Sequence, residues 1–233
     1  MRIAITGGIG SGKSYVCRIL QQHYGVEVFN CDIVAKYIIA THPEVRQALT
    51  NLVAKEQGST AGEKTLTAGR TQDTASKPQD TASKPILTKK TLGDYIRRSP
   101  DHAARVNAIV HPRVAEAFEL YCQQPVPAPQ QPGGALPAPS ISAEQHHWME
   151  CAILFESGFD RLVDLAVVVT CPTEERIRRI TERDNCDEST ARRWLTLQMT
   201  DEERLSRPHY RIINDGTTPI LPQLEALIAS LPL

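Results

Sequence analysis

Short apolar runs alternate along the chain with longer segments in which apolar residues recur every three or four positions. This alternation predicts β-strands separated by α-helices, because strands buried on both faces are continuously apolar and amphipathic helices bury one side. The predicted strands are Arg2–Thr6, Val26–Asn30, Trp148–Phe155, Leu165–Thr170 and Arg211–Asn214. The predicted helices are Tyr15–Gln22 and about 42–54, 88–121, 173–183, 188–206 and 219–230, with Pro112 opening a new helix after His111. The predicted fold class is therefore α/β, a five-stranded parallel sheet with helices on both faces.

Two segments interrupt this pattern. The heptad 72–78 is repeated without change at 79–85, and a stretch of small polar residues has no apolar face to bury. The segment 125–140 holds six of the chain's 16 prolines together with a Gly-Gly pair. We expect 57–86 and 123–145 to be flexible insertions into a smaller core.

A glycine-rich sequence follows the first strand and precedes the first helix. Residues 7–14 satisfy G-x-x-x-x-G-K-[ST], the pattern of a loop whose backbone N–H groups surround nucleotide phosphates. Lys13 would contact the β- and γ-phosphates, and the Ser14 hydroxyl would bind Mg²⁺. A glycine turn that merely joins strand to helix is the structural alternative. The predicted nucleotide-binding residues are Gly8, Gly10, Ser11, Gly12, Lys13, Ser14 and Tyr15.

Two carboxylates follow predicted strands, where the ligand site of a parallel sheet lies. Asp32 could accept a proton from an acceptor hydroxyl or help to hold Mg²⁺, and it could equally be the N-cap of a helix beginning at Ile33. Glu156 follows the Trp148–Phe155 strand and could bind a water or a polar group of the substrate, or be a solvated strand-end residue.

Arginines are concentrated after the fourth strand. Arg176, Arg179 and Arg183 fall on one face of the predicted helix, whereas Arg178 points elsewhere. In a phosphoryl-transfer protein such a row is a candidate lid that offsets charge in the transition state. The alternative is a solvated face in which Glu174, Glu175 and Glu182 pair with some of the arginines.

Composition limits the possible partners. The net charge is −1, from 26 basic and 27 acidic residues, so the overall charge does not favour binding to nucleic acid or to an acidic membrane. No apolar run reaches the roughly 18 residues that a membrane span needs. The six cysteines show no metal-ligand spacing, and we expect reduced, structural thiols in a cytoplasmic protein.

Taken together, these residues resemble the dephospho-CoA kinases, which are P-loop kinases of the nucleoside-monophosphate-kinase type. The resemblance covers essentially the whole chain outside the two insertions. The family's successive motifs are similar to Thr6–Ser14, Asn30–Ala35, Val106–Pro112, Ile153–Gly158, Arg179 with Arg183-Asp184, Gln198 and Asn214.

The resemblance implies transfer of the ATP γ-phosphoryl group, with Mg²⁺, to the ribose 3′-hydroxyl of dephospho-CoA. It implies a core of 1–40 and 146–233 with a lid near 173–205, and a helical acceptor-binding subdomain of 41–122. Lys13, Asp32, Arg179 and Arg183 would be catalytic, and His111, Phe155 and Glu156 would help Asp32 to bind the acceptor. We expect a monomer or weak homo-oligomer. A kinase for another small acceptor, or a nucleotide-dependent switch, is the alternative, although a switch of the GTPase type would carry an N-K-x-D motif that is absent here.

Overall fold

The computed structural model describes residues 1–59, 87–125, 146–207 and 209–232. The predicted insertions, 57–86 and 123–145, therefore fall largely outside the described residues. The chain divides into two units, one made of Met1–Val34 with Val114–Leu233 and the other of Ala35–Arg113. The second unit overlaps the helical subdomain predicted at 41–122.

The first unit contains a five-stranded parallel sheet in the order β2-β3-β1-β4-β5. This arrangement confirms the predicted fold class. The strands are β1 (Arg2–Thr6), β2 (Val28–Asn30), β3 (His147–Glu150), β4 (Leu165–Thr170) and β5 (Tyr210–Ile213).

The third strand ends earlier than the sequence predicts. β3 stops at Glu150, and 152–158 form turns rather than the strand predicted to run to Phe155. The reason lies in the neighbouring strand, since β1 pairs Ile5 with Glu150 and then ends at Thr6. Beyond the bond from Cys151 N–H to the Ile5 carbonyl, β3 has no partner left on β1. The strand-end carboxylate is therefore Glu150, and the prediction that Glu156 ends the strand is wrong.

Helices connect the other strands of the described residues, whereas turns and a 3₁₀ turn join β3 to β4. The helices are α1 (Lys13–Tyr24), α2 (Cys31–Thr41), α3 (Pro43–Ser59), α4 (Lys89–Ile96), α5 (Pro100–Gln123), α6 (Thr173–Asp184), α7 (Glu188–Thr196), α8 (Asp201–Leu205) and α9 (Ile220–Ala229), with a 3₁₀ turn at Phe159–Leu162. Within these residues no helix is long and apolar enough to cross a membrane.

The sheet buries side chains on both faces. On one face α1 and α9 pack against alternate strand residues such as Ile5, Val167 and Ile212. The intervening residue Met149 is buried too, and on α5 the rings of Phe118 and Tyr121 pack against Phe29 of β2. Helices therefore cover both faces of the sheet and leave the edge at the carboxyl ends of its strands accessible to a ligand.

Two predicted helix boundaries are wrong. Pro112 lies inside the continuous helix α5 instead of opening a new one. A proline inside a helix costs about 3 kcal/mol, and α5 offsets this by burying a residue at every fourth position from Val106 to Phe118. The helix predicted at 188–206 is instead α7 and α8, because Thr200 and Glu203 form a capping box that starts α8.

The second unit is helical. Its buried residues come from four helices: Ile38 of α2, Val45, Leu49 and Val53 of α3, Leu92 and Tyr95 of α4, and Val106 and Val110 of α5. Thr88 and Thr91 form a capping box at the start of α4, and the Tyr95 ring packs edge-on against His102.

Candidate active site

The glycine-rich loop runs from the end of β1 to the start of α1. Gly7, Gly10 and Gly12 have positive φ angles of 146°, 78° and 92°, which favour glycine. A Cβ at Gly12 would also lie 2.0 Å from Nδ2 of Asn214, which itself donates a 2.8 Å bond to the Ser11 carbonyl. The glycines therefore allow the tight loop that phosphate binding requires, and the strand–loop–helix setting predicted from the sequence is present.

Lys13 is held over this loop. Its ammonium donates to the Gly7 carbonyl at 2.8 Å and to the Gly8 carbonyl at 3.1 Å. Burial lowers the pKa of Lys13, and the carboxylates of Glu150 and Asp32 act in the opposite direction. An anionic phosphate beside the amine would favour its charged form further.

Glu150 lies at the centre of the site, although the sequence did not single it out. Its carboxylate accepts a 2.6 Å hydrogen bond from the Ser14 hydroxyl and a 2.7 Å bond from Asn30 Nδ2. The register that pairs Asn30 with Glu150 brings the ends of β2 and β3 together. A sequence signal is available, since Glu150 is the acidic residue that follows the apolar pair Trp148-Met149, but the predicted strand runs on to Phe155 and so includes Glu150 in its interior.

Asp32 lies in the first turn of α2 and is not the helix cap. The Asn30 side-chain oxygen accepts a 2.9 Å bond from the Ile33 N–H, which makes Asn30 the N-cap of a helix that begins at Cys31. The capping alternative for Asp32 is therefore wrong. The exposed Asp32 side chain lines the same cavity as Lys13.

A cavity of about 440 Å³ brings these groups together beside the loop. It lies within the size range of small-molecule sites, about 300–1,000 Å³. Its lining residues are Ile9, Gly10, Gly12, Lys13, Ser14, Asp32, Glu150, Ala152, Arg179, Arg183 and Gln198.

The arginines of α6 make different contacts. Arg179 donates to Glu175 at 2.8 Å and to the Gly10 carbonyl at 3.5 Å, and Arg183 pairs with Asp184 at 2.6 Å, so both are held at the cavity. Arg178 instead pairs with Glu175 and Glu182 on the exposed side of α6. These contacts lower the Glu175 pKa to about 2, so Glu175 stays charged.

Arg176 and Glu174 do not take the positions that the sequence predicts for them. Arg176 is buried and does not line this cavity. Glu174 pairs with Arg192 of α7 rather than with the row. The solvated-face alternative therefore describes Arg178, whereas the lid role of Arg179 and Arg183 stays a prediction.

Other predicted site residues lie outside this cavity. Gly8 contributes its carbonyl to Lys13, and Ser11 is buried within the loop. Tyr15 is half-exposed and lines a second cavity of about 470 Å³, which shares Gly12 and Arg179 with the first.

The residues predicted to bind the acceptor are also dispersed. Glu156 accepts bonds from Arg204 at 3.2 Å and from the Met199 N–H at 3.3 Å, and the Arg207 guanidinium lies 4.9 Å from the centre of the Phe155 ring. His111 belongs to the second unit, where burial lowers its pKa.

Sequence comparisons with known proteins point to one family, and comparisons with solved structures show a similar fold. The family model for dephospho-CoA kinase matches residues 1–64 and 138–219. The dephospho-CoA kinase of Bacteroides fragilis (strain YCH46) is 36% identical over 99% of this chain and 93% of its own length. Among solved structures, TT1252 from Thermus thermophilus has a TM-score of 0.65 at 24% identity, covering 100% of this chain and 98% of its own. The dephospho-CoA kinase from Campylobacter jejuni has a TM-score of 0.54 at 20% identity, covering 98% and 95%, and these structural likenesses concern the fold.

Proposed function

The chain belongs to the dephospho-CoA kinase family, and we propose that the Lys13 cavity transfers the γ-phosphoryl group of ATP to the ribose 3′-hydroxyl of dephospho-CoA. The products are coenzyme A and ADP, and the reaction is the last step of coenzyme A synthesis. The observation that carries the proposal is one cavity lined by Lys13, Asp32, Arg179 and Arg183 at the carboxyl edge of a parallel sheet. Phosphoryl transfer depends on positioning and on electrostatic stabilisation, which cations and one carboxylate provide.

The loop and Lys13 would bind the triphosphate of ATP. The second cavity would take the adenine, because it adjoins the first through Gly12 and Arg179. Tyr15 and Asn214 would then lie beside the base.

Mg²⁺ fits the oxygen donors at the start of α1. The Ser14 hydroxyl donates its proton to Glu150 and so keeps a lone pair for a cation, and Asp32 offers a further carboxylate in the same cavity. Hydroxyl and carboxylate oxygens are the ligands that Mg²⁺ prefers. When bound, the ion would neutralise charge on the phosphates.

Asp32 would accept the proton of the ribose hydroxyl and orient that hydroxyl toward the phosphoryl group. The Asn30 cap holds the first turn of α2, in which Asp32 lies with an exposed side chain at the cavity. Arg179 and Arg183 would bind the transferring phosphoryl group as charge develops on it.

The second unit, which overlaps the predicted acceptor-binding subdomain, would contribute to binding the acceptor. It contains a cavity of about 730 Å³ whose lining is largely apolar and includes the cations Lys36, Arg46 and Lys89. Among the described residues no carboxylate forms an ion pair with these three. An apolar pocket whose lining also includes cations suits the diphosphate and pantetheine portions of dephospho-CoA. We place His111, of the same unit, and Phe155 and Glu156, of the first, among the acceptor-binding residues as well.

The proposal also covers the cellular compartment, the partners and the oligomeric state of the protein. All six cysteines are free thiols, which suits the reducing cytoplasm. With a net charge of −1, we propose that the protein acts on its small-molecule substrate without nucleic acid, as a monomer or weak homo-oligomer.

The test is ADP production with dephospho-CoA, with a nucleoside monophosphate and with no acceptor. We expect turnover with dephospho-CoA to exceed the other two rates by at least about 10²-fold, because truncated acceptors lose binding energy needed at the reacting centre. Preference for a nucleoside monophosphate would reassign the acceptor. Slow hydrolysis that ignores every acceptor would indicate a nucleotide switch.

A further inference from the structure

Arg176 is packed directly against the backbone of the phosphate loop. Its side chain is only 8% exposed, and its Nε donates a 2.9 Å hydrogen bond to the Ile9 carbonyl. A Cβ on Gly8 would lie 2.0 Å from Arg176 Nη2 and 2.7 Å from its Cζ. The guanidinium therefore occupies the space that any side chain at position 8 would need.

The peptide groups of Ile9 are held from two directions. While its carbonyl accepts from Arg176, its N–H donates a 2.7 Å bond to Oε1 of Gln198. The Ile9 side chain packs against the apolar cluster formed by α6 and α7, which includes Ile177 and Ile180. The loop is thus fixed by residues nearly the whole chain away in sequence.

An ion pair also orients Arg176. Its Nη1 lies 3.4 Å from Asp201 Oδ1, and the same oxygen lies 3.3 Å from Nη1 of Arg204, which is completely buried. One carboxylate oxygen shared by two guanidiniums leaves the charge of Arg176 only partly compensated. That charge acts on Lys13, whose pKa is lowered mainly by burial and also by Arg204 and Arg176.

We infer that Arg176 is a positioning residue for the nucleotide phosphates: it fixes the Gly8–Ile9 backbone and adds a buried positive charge next to the loop. The inference rests on the proposed function only in taking the loop as the nucleotide site. Loop amides contact phosphates in both the ground state and the transition state, so loss of this support raises KM for ATP more than it lowers kcat.

The experiment measures ADP affinity by calorimetry, and KM and kcat with ATP, for the wild type and three variants. We expect Arg176→Gln to bind ADP about tenfold or more weakly, with kcat within a few-fold of the wild type. Arg176→Lys keeps the charge but not the fork of donors, so its affinity should fall between the two. Arg193→Gln is the control, because Arg193 is exposed on α7, and it should match the wild type.

A double-mutant cycle tests the contact itself. Gly8→Ala should weaken ADP binding strongly in the wild type and far less in Arg176→Gln, because the guanidinium atoms that its Cβ would meet are then absent. A purely structural role would lower the melting temperature without changing ADP affinity per folded molecule.

The inference is overturned if Arg176→Gln and Arg176→Lys both bind ADP within twofold of the wild type, or if Gly8→Ala costs the same in both backgrounds. If Arg176→Gln does not fold, wild-type affinity in Arg176→Lys alone overturns it. A wild-type protein that binds no ADP would refute the proposed function instead.

Discussion

The hydroxyl of Ser14 donates a 2.6 Å hydrogen bond to Oε1 of Glu150, which joins the first turn of α1 to the end of β3. The other oxygen of that carboxylate accepts from Asn30, and Asn30 caps the helix that carries Asp32. Glu150 therefore connects the nucleotide loop to the proposed base. A change at this one carboxylate should affect both.

Glu150→Gln keeps the size of the side chain and removes its charge. We expect the Mg²⁺ concentration that gives half-maximal turnover to rise about tenfold or more, because residues that orient metal ligands typically contribute 10–100-fold to affinity. Turnover would be measured against Mg²⁺ concentration. Glu119→Gln is the control, since Glu119 lies on α5, pairs with Arg2 of β1 and does not line the cavity. An unchanged Mg²⁺ dependence would remove Glu150 from the metal site.

Arg179→Gln and Arg183→Gln should each lower kcat by about 10²-fold or more, because groups that bind charge developing in the transition state act mainly on turnover. Arg178→Gln lies on the same helix but pairs on its exposed side, so it should change kcat by less than a few-fold. The measurement is kcat at saturating ATP and acceptor. If the variants at 179 and 183 lose folding stability rather than turnover, these arginines are structural.

Structural features that depend on consecutive residues were predicted well from the sequence. The run Leu165–Thr170 and the glycine loop were placed correctly, because strand burial and phosphate-loop geometry follow from consecutive residues. Asn30 as a cap was missed although the signal was local, since Asn is as good an N-cap as Asp and stands two residues earlier.

Features that depend on distant residues were not predictable. The end of β3 is set by where β1 ends, some 145 residues earlier in the chain. The contact of Arg176 with Ile9, separated by 167 residues, removed that arginine from the lid face that its helical spacing predicted. Helical periodicity gives the face of a side chain but not the partner that this face meets.

The lowered pKa of His146 predicts that the folded protein loses stability in acid. Burial lowers its pKa, and so does the N-terminal amine, which lies 3.1 Å from Nδ1. The unfolded chain, with a histidine pKa of about 6.5, then binds more protons, so stability is fully present above this pH and is lost as the pH falls through the folded-state pKa.

We therefore expect the free energy of unfolding to decrease from pH 7.5 to pH 5.5, measured by urea denaturation of protein that begins at Met1. His146→Gln should flatten this decrease, although the half-buried His111 contributes in the same direction. His23→Gln, at an exposed position, should leave it unchanged. Equal slopes for the wild type and His146→Gln would contradict the account.

Glu156→Gln should lower the free energy of unfolding by about 1–3 kcal/mol, because a buried guanidinium that loses a charged partner is strongly destabilising. The guanidinium is that of Arg204, whose side chain is 0% exposed and which pairs with Glu156 at 3.2 Å. Asp160→Asn is the matched control, since its 3.7 Å pair with Arg207 is partly exposed and should contribute little. Equal denaturation midpoints for the Glu156 variant and the wild type would show that the pair does not stabilise the fold.

Asp32→Asn tests the central claim, that this cavity activates an acceptor hydroxyl for phosphoryl transfer. Because Asn30 provides the cap, the substitution should leave α2 and the fold intact. The measurement is single-turnover formation of coenzyme A with ATP, Mg²⁺ and dephospho-CoA at saturation, alongside ADP affinity. We predict unchanged ADP affinity and a rate lower by about 10²–10⁴-fold, the usual contribution of a general base. A rate within a few-fold of the wild type would contradict the account.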